Sequence, residues 1–238
     1  MALAKVSVYD LRHYERQKGC PGQPPTLYGE LTCRVLREIL LGRRALEDML
    51  VLTSPQERAW GTGRLVASPE AEMGHFDMRK MNWLESATTR LMDGGKELTE
   101  LAGRFGVSVE QALMVLPQFA SLVCDWTVEA FFGLTGAIAD GEHQNVLMFS
   151  HGGQVDARAI FMKKFKAEPG MKPQNLKPML DMRFLNGRCA DTCEGYVYDL
   201  QVDTAAGLIE RVFDVQRIEL PAQFKALGGG ALDRLLAG

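Results

Sequence analysis

The sequence predicts an α/β three-layer sandwich: a mostly parallel central sheet with helices on both faces, a helical cap insertion and a late antiparallel hairpin. Three observations predict it. A short apolar run that ends abruptly in polar, reactive residues occurs three times. Apolar residues at helical spacing fill the intervals between those runs. Late in the chain, two alternating stretches flank a turn-rich pentapeptide. Strand and helix in alternation argue for parallel strands joined by crossovers.

The first apolar run is Val6-Ser7-Val8-Tyr9-Asp10-Leu11, ending at Arg12-His13. A helical pattern follows over Leu27 to Leu41. The second run, Met49 to Thr53, ends at Ser54-Pro55-Gln56-Glu57-Arg58, and helical spacing continues over Glu57 to Val66. From Trp83 to Ala139 the chain reads as mostly helix, including Leu98 to Ala102 and Val109 to Val128. The third run, Asn145 to Ser150, ends at His151-Gly152-Gly153. Ala167 to Pro178 holds Pro169, Pro173 and Pro178 and reads as a loop. Tyr196 to Val202 and Ile209 to Leu220 alternate around Asp203-Thr204-Ala205-Ala206-Gly207, the pattern of a hairpin. After Gly228-Gly229-Gly230, a short helix is expected over Ala231 to Leu236. The expected organisation is one domain over 1–238, with 83–142 as the cap insertion.

Composition narrows the function. Of 238 residues, 46% are hydrophobic and 24% charged, and 27 Lys+Arg against 30 Asp+Glu leave a formal net charge of -3. Such a chain can bury a full core and is not a disordered polyelectrolyte. It has no basic excess with which to coat nucleic acid. No stretch reads as apolar for the roughly 18 residues a membrane span needs. The start, Met1 to Val8, lacks the long apolar core of a secretory signal, so a cytoplasmic location is expected. The odd, scattered cysteines (Cys20, Cys33, Cys124, Cys189, Cys193) then read as free thiols in a reducing compartment. Cys189-x3-Cys193 has no second ligand pair, so no metal and no other cofactor is expected.

In parallel sheets, ligands bind outside the carboxyl ends of the strands. The three run ends would bring Arg12, His13, Arg58 and His151 to that edge. Two arginines beside two histidines make a cationic pocket, and the planar fork of arginine matches phosphate oxygens. Gly152 and Gly153 would offer backbone N–H groups at a helix start, where an anion is favoured. A neutral imidazole there can attack phosphorus, and both arginines disfavour protonation of His13. The second histidine can donate a hydrogen bond to the phosphoryl oxygens.

These residues resemble a known family. Leu11-Arg12-His13-Tyr14-Glu15 is similar to the Arg-His-Gly-Glu signature of the histidine phosphatase (phosphoglycerate mutase-like) superfamily. Thr26-Leu27-Tyr28-Gly29-Glu30 resembles its Leu-Thr-x-x-Gly helix start. Thr53 to Thr62 resembles its Ser-Ser-Pro-x-x-Arg-Ala-x-x-Thr segment, and Phe149 to Gly153 its Ser-His-Gly-Gly motif. The motifs stand in the family's order across residues 5–165. The resemblance implies a phosphomonoesterase that needs no metal. His13 would become a phosphohistidine, and Arg12, Arg58, His151 and Gly152 would hold the phosphoryl group. A carboxylic acid would protonate the leaving oxygen and then activate water. The substrate would be a small phosphorylated compound or a phosphoprotein.

Three departures bear on the mechanism. Tyr14 replaces the family's Gly and is expected to thicken the pocket floor. Gly19 replaces the mutase branch's Asn, and its Trp-x-Asp is missing, which favours a phosphatase over a phosphoglycerate-mutase-like phosphotransferase. The acid is open between two residues. Glu70 and Glu72 resemble the family's Glu-rich segment but follow Thr62 with no strand between, and Glu85 is preferred to Glu72; an ordinary surface carboxylate is the competing reading for each. The altered motif also admits a non-catalytic module that binds a phosphorylated ligand. One motif points elsewhere: Leu98 to Ser108 looks like the turn of a helix-turn-helix. The helix after it, Val109 to Leu116, carries no Lys or Arg, so a cap over the pocket accounts for it better than DNA reading does.

Overall fold

The structure, a computed structural model, describes residues 3–17, 20, 24–67, 77–91, 93, 95–139, 144–168, 182–228 and 232. Glu72, the three prolines of the expected loop and all but Leu232 of the expected terminal helix lie outside them.

A six-stranded sheet forms the middle layer, built from β1 (Leu3–Arg12), β2 (Met49–Thr53), β3 (Asp77–Lys80), β4 (Asn145–Ser150), β5 (Gly195–Asp203) and β6 (Leu208–Ile218). Its order is β3-β2-β4-β1-β5-β6. The β3/β2, β2/β4 and β4/β1 pairs are parallel, and β5 and β6 add the antiparallel hairpin. The edge strand β3 is not anticipated by the sequence, because four residues that include two cations show no readable alternation.

Side chains alternate across the strands, so each face of the sheet buries its own core. Tyr9, Leu11, Val51, Leu147 and Phe149 face α1 (Leu27–Gly42) and α2 (Glu57–Ala67), where Leu36, Leu40, Ala59 and Val66 cover them. Val6, Val8, Leu50, Leu52, Val146 and Met148 face the other layer. That layer includes α6 (Pro117–Ala139) and α7 (Gln154–Ala167). The N-cap of α1 is Thr26, whose Oγ1 accepts from the Gly29 N–H at 3.0 Å.

Helix α6 corrects one expectation. Its 23 residues, with a mean hydropathy of 1.3 in an 18-residue window, are long and apolar enough to cross a membrane. Asp125 and Glu129 interrupt the apolar run in the sequence. Half of that window is buried inside the structure, where Phe131 meets Phe161 and Phe165 of α7 edge to face.

Before α6 come α3 (Ala87–Arg90), α4 (Lys96–Phe105) and α5 (Val109–Val115). Helix α4 ends at Gly106, whose φ of 65° is the left-handed conformation that lets the chain reverse. Ser108 and Gln111 then form a reciprocal capping box that starts α5. Pro117 cannot continue α5, so the helical spacing read over Val109 to Val128 belongs to two helices. The Leu98 to Ser108 pattern is thus two helices joined by a short turn, and the second helix leads to the site described next. A last short helix, α8 (Ala222–Lys225), follows β6.

Candidate active site

The register of the parallel strands sets the site. Arg12 pairs with Ser150, and Thr53 with Phe149. The pairing continues one residue further: the His13 N–H donates to the Ser150 carbonyl at 3.0 Å, and the Ser54 N–H to the Phe149 carbonyl at 2.9 Å. The antiparallel β5 brings its start to the same edge, where the Cys193 N–H donates to the Arg12 carbonyl at 3.2 Å. Residues far apart in sequence thus share one rim, and the Arg12, His13, Arg58 and His151 side chains meet in one cavity of about 370 Å³. That is the size of a small-ligand site.

His13 and His151 are buried, with ring centroids 5.1 Å apart. His13 Nδ1 lies 2.7 Å from the Tyr14 carbonyl oxygen, which can only accept, so Nδ1 carries the proton and Nε2 keeps its lone pair. Burial lowers the His13 pKa to about 3, and Arg58, Arg12 and Arg16 push the same way against the Tyr14 hydrogen bond. Burial likewise holds His151 well below the usual histidine range, with His13 and Arg58 adding to it. Burial, with Arg16 and Arg12 nearby, lowers the Arg58 pKa to about 10, which leaves it protonated at neutral pH.

Arg58 Nη2 lies 3.2 Å from His151 Nδ1. A guanidinium only donates, so Nδ1 accepts and Nε2–H faces Ser54 Oγ at 2.9 Å. Both ring nitrogens of His151 are thus used within the protein, and the hydrogen bond it was expected to give a phosphoryl oxygen is committed elsewhere. Gly153 differs from expectation in the same way: its N–H donates to Asp156 Oδ2 at 3.2 Å and is not free for an anion. The Nε atoms of Arg12 and Arg58, by contrast, are buried without a hydrogen-bond partner among the described residues.

Tyr14 is among the residues lining the cavity, while its side chain points away into the core. Its ring is 2% exposed and belongs to the core between α1 and α2. Helix α2 makes room with Gly61, where an added Cβ would stand 2.7 Å from the Tyr14 hydroxyl.

The preferred acid, Glu85, follows a 3₁₀ turn (Asn82–Leu84) and is not among the residues lining the cavity, whereas Ser86 and Ala87 are. Glu85 and Ser86 both have polyproline-type backbone, with ψ of 151° at each, so their side chains diverge, and Ser86 takes the side of the cavity. The carboxylates that do line the cavity are Glu15 and Glu110. Glu110 stands on α5 and pairs with Arg12, Oε1 to Nη2 at 2.8 Å. Leu98, Val109 and Leu113 from α4 and α5 complete an apolar wall above the cations. The sequence hides Glu110 because it lies 98 residues from Arg12, inside a pattern that reads as a DNA-binding turn. Among the described residues, no group of three His, Cys, Asp or Glu has metal-binding geometry. Cys193 lies beside Cys33, Sγ to Sγ at 3.7 Å, rather than with Cys189.

No protein-family model matches the chain, and no curated protein matches it in sequence. Solved structures do match it. Phosphoglycerate mutase from Bacillus anthracis aligns over 90% of this chain and 93% of its own, at 14% identity and a TM-score of 0.55. A mycobacterial glucosyl-3-phosphoglycerate phosphatase aligns over 91% of this chain and 100% of its own, at 16% identity and a TM-score of 0.51. Phosphoserine phosphatase from Entamoeba histolytica aligns over 91% of this chain and 98% of its own, at 12% identity and a TM-score of 0.50. At these identities the likeness is one of fold, and the chain has the fold of the histidine phosphatase (phosphoglycerate mutase-like) superfamily.

Proposed function

We propose that the protein is a phosphomonoesterase that passes a phosphoryl group to His13 Nε2 and then to water. One observation carries the reading: a buried, neutral imidazole whose Nδ1–H is fixed on the Tyr14 carbonyl, set beside two arginines with unpartnered Nε donors. A neutral Nε2 is a nucleophile, and the fixed Nδ1–H orients its lone pair. A phosphoryl oxyanion would satisfy the orphaned donors of Arg12 and Arg58, and the charge building on it in the transition state falls between two guanidinium groups. His151 serves this site by holding Arg58 through Nδ1. Gly152 leaves the space that the Arg12 guanidinium occupies: an added Cβ would stand 2.8 Å from Arg12 Cζ. The two guanidinium groups supply the positive charge, so the reaction requires no metal. The substrate is a small phosphorylated compound or a phosphoprotein.

The test is phosphate release from an aryl phosphate with a chelator present. Wild type is expected to turn over and His13→Ala to lose at least a hundredfold in rate. Equal rates for the two would end the reading. Saturable phosphate binding that Arg58→Ala abolishes, with no turnover by wild type, would instead make this a binding module.

A further inference from the structure

We infer that Glu110, on the cap helix α5, is the catalytic acid and base of this site. The inference rests on the phosphomonoesterase reading and assigns the one role that reading leaves unfilled. An alkoxide is a poor leaving group, so a proton has to reach the ester oxygen as its bond to phosphorus breaks. Among the described residues, the other ionisable groups that line the cavity are committed elsewhere. His13 Nδ1–H is committed to Tyr14, and His151 Nε2–H faces Ser54. The arginines keep their protons. That leaves a carboxyl group. Glu15 is turned to the start of α1, where its Oε2 accepts from Thr26 Oγ1 at 3.0 Å. Glu110 is turned to the phosphoryl pocket, paired with Arg12 and 23% exposed.

The seat of Glu110 is built. An added Cβ on Gly152 would stand 2.8 Å from Glu110 Cγ as well as from Arg12 Cζ, and one on Gly153 2.8 Å from Leu113 Cδ2. Helix α5 therefore packs directly on the two glycines that follow His151. Helix α5 reaches the cavity from a segment separate from the strand ends that carry His13, Arg58 and His151.

The steps balance. The phosphoryl dianion takes the place of Glu110 on the Arg12 guanidinium, and Glu110 enters the step as the carboxylic acid. The His13 Nε2–P bond then forms as the ester P–O bond breaks, and the Glu110 proton goes to the leaving oxygen, releasing the alcohol. Next, the Glu110 carboxylate takes a proton from water as the water oxygen bonds to phosphorus. The P–N bond breaks, inorganic phosphate leaves, and Glu110 is protonated again.

The experiment compares wild type with Glu110→Gln on phosphomonoesters whose leaving groups differ in pKa. Expected is a loss in kcat/KM of about 10²–10⁴-fold on an alkyl phosphate. On a nitrophenyl phosphate, which leaves without a proton, the loss should fall below tenfold, with a burst of nitrophenol and accumulated phosphohistidine. Glu110→Ala, assayed with added formate, should recover rate with rising formate. Equal loss on both substrates and no formate rescue would overturn the assignment, as would no loss at all. Turnover by wild type that persists in His13→Ala overturns the phosphomonoesterase reading instead, so the two failures are distinguishable.

Discussion

Arg158 of α7 grips Asp10 of β1 with two hydrogen bonds, Nε to Oδ2 at 2.6 Å and Nη2 to Oδ1 at 2.8 Å. Both side chains are out of water, at 2% and 0% exposed. The Tyr198 hydroxyl donates to the same Asp10 Oδ2 at 3.0 Å, and Arg158 Nη2 also reaches Ser150 Oγ. The pair thus ties β1, β4, β5 and α7 together just below His13 and His151. A buried carboxylate and guanidinium that satisfy each other are tolerated; either one alone is not. Asp10→Asn or Arg158→Met should therefore cost about 3–5 kcal/mol of stability. The double variant should cost less than the sum of the singles. Urea denaturation of the four proteins measures both quantities.

Gly61 and Tyr14 form a second coupled pair. Alanine within a helix is ordinarily about 1 kcal/mol better than glycine. At Gly61 the sign should reverse, because the new Cβ would meet the Tyr14 hydroxyl at 2.7 Å and Cε1 at 3.1 Å. The ring is buried and packed in the core between α1 and α2. Gly61→Ala is expected to destabilise by about 1–3 kcal/mol, the range for overpacking. In a Tyr14→Phe background, which removes the closest atom, that cost should shrink. Thermal melts of the single and double variants check it.

Much of this site is legible in the sequence, and the reason is physical. Strands buried on both faces read as continuous apolar runs, and parallel connections place all their carboxyl ends on one rim. Arg12, His13, Arg58 and His151 can thus be brought together without knowing the structure. What fails is whatever depends on partners across space. The commitment of both His151 nitrogens depends on Arg58 and Ser54. The turning of the Tyr14 ring into the core depends on the space above Gly61. Glu110 is hidden for the same reason: local pattern explains its helix but not what the helix faces. Glu85, favoured by its place in the chain, lines no part of the cavity, because the neighbouring extended residue Ser86 takes that side.

Gly152 separates chemistry from stability. Its nearest contacts with an added Cβ would be to two side chains of the proposed site, Arg12 Cζ and Glu110 Cγ at 2.8 Å each, and not to backbone. Both side chains are partly exposed and can shift. Gly152→Ala should therefore fold with a melting temperature near that of wild type while displacing the Arg12–Glu110 pair. Misplacing a catalytic group by about 1 Å can cost 10²-fold. The expected result is a drop in kcat/KM of that order with an unchanged far-UV circular dichroism spectrum. Full activity in this variant would show that the pair's position is unimportant.

The buried histidines make stability sensitive to acid over a range in which His13 itself stays neutral. In the folded protein His13 stays neutral down to about pH 3, because burial and three nearby arginines oppose its protonation. In the unfolded chain it titrates near pH 6.5. Between those values the unfolded state binds a proton that the folded state does not, so stability rises with pH across this window and levels off above it. His151 acts in the same direction. Urea midpoints should therefore fall steadily from pH 6.5 toward pH 4, and His13→Gln should remove part of that slope. The proposed nucleophile itself remains neutral over the same range. Once rates are corrected for the folded fraction and for the second ionisation of the substrate phosphate near pH 6, phosphohistidine formation should show no loss assignable to His13 above about pH 4. An acid limb in that corrected profile near pH 6.5, abolished with the nucleophile, would mean that His13 is exposed to water in the working enzyme.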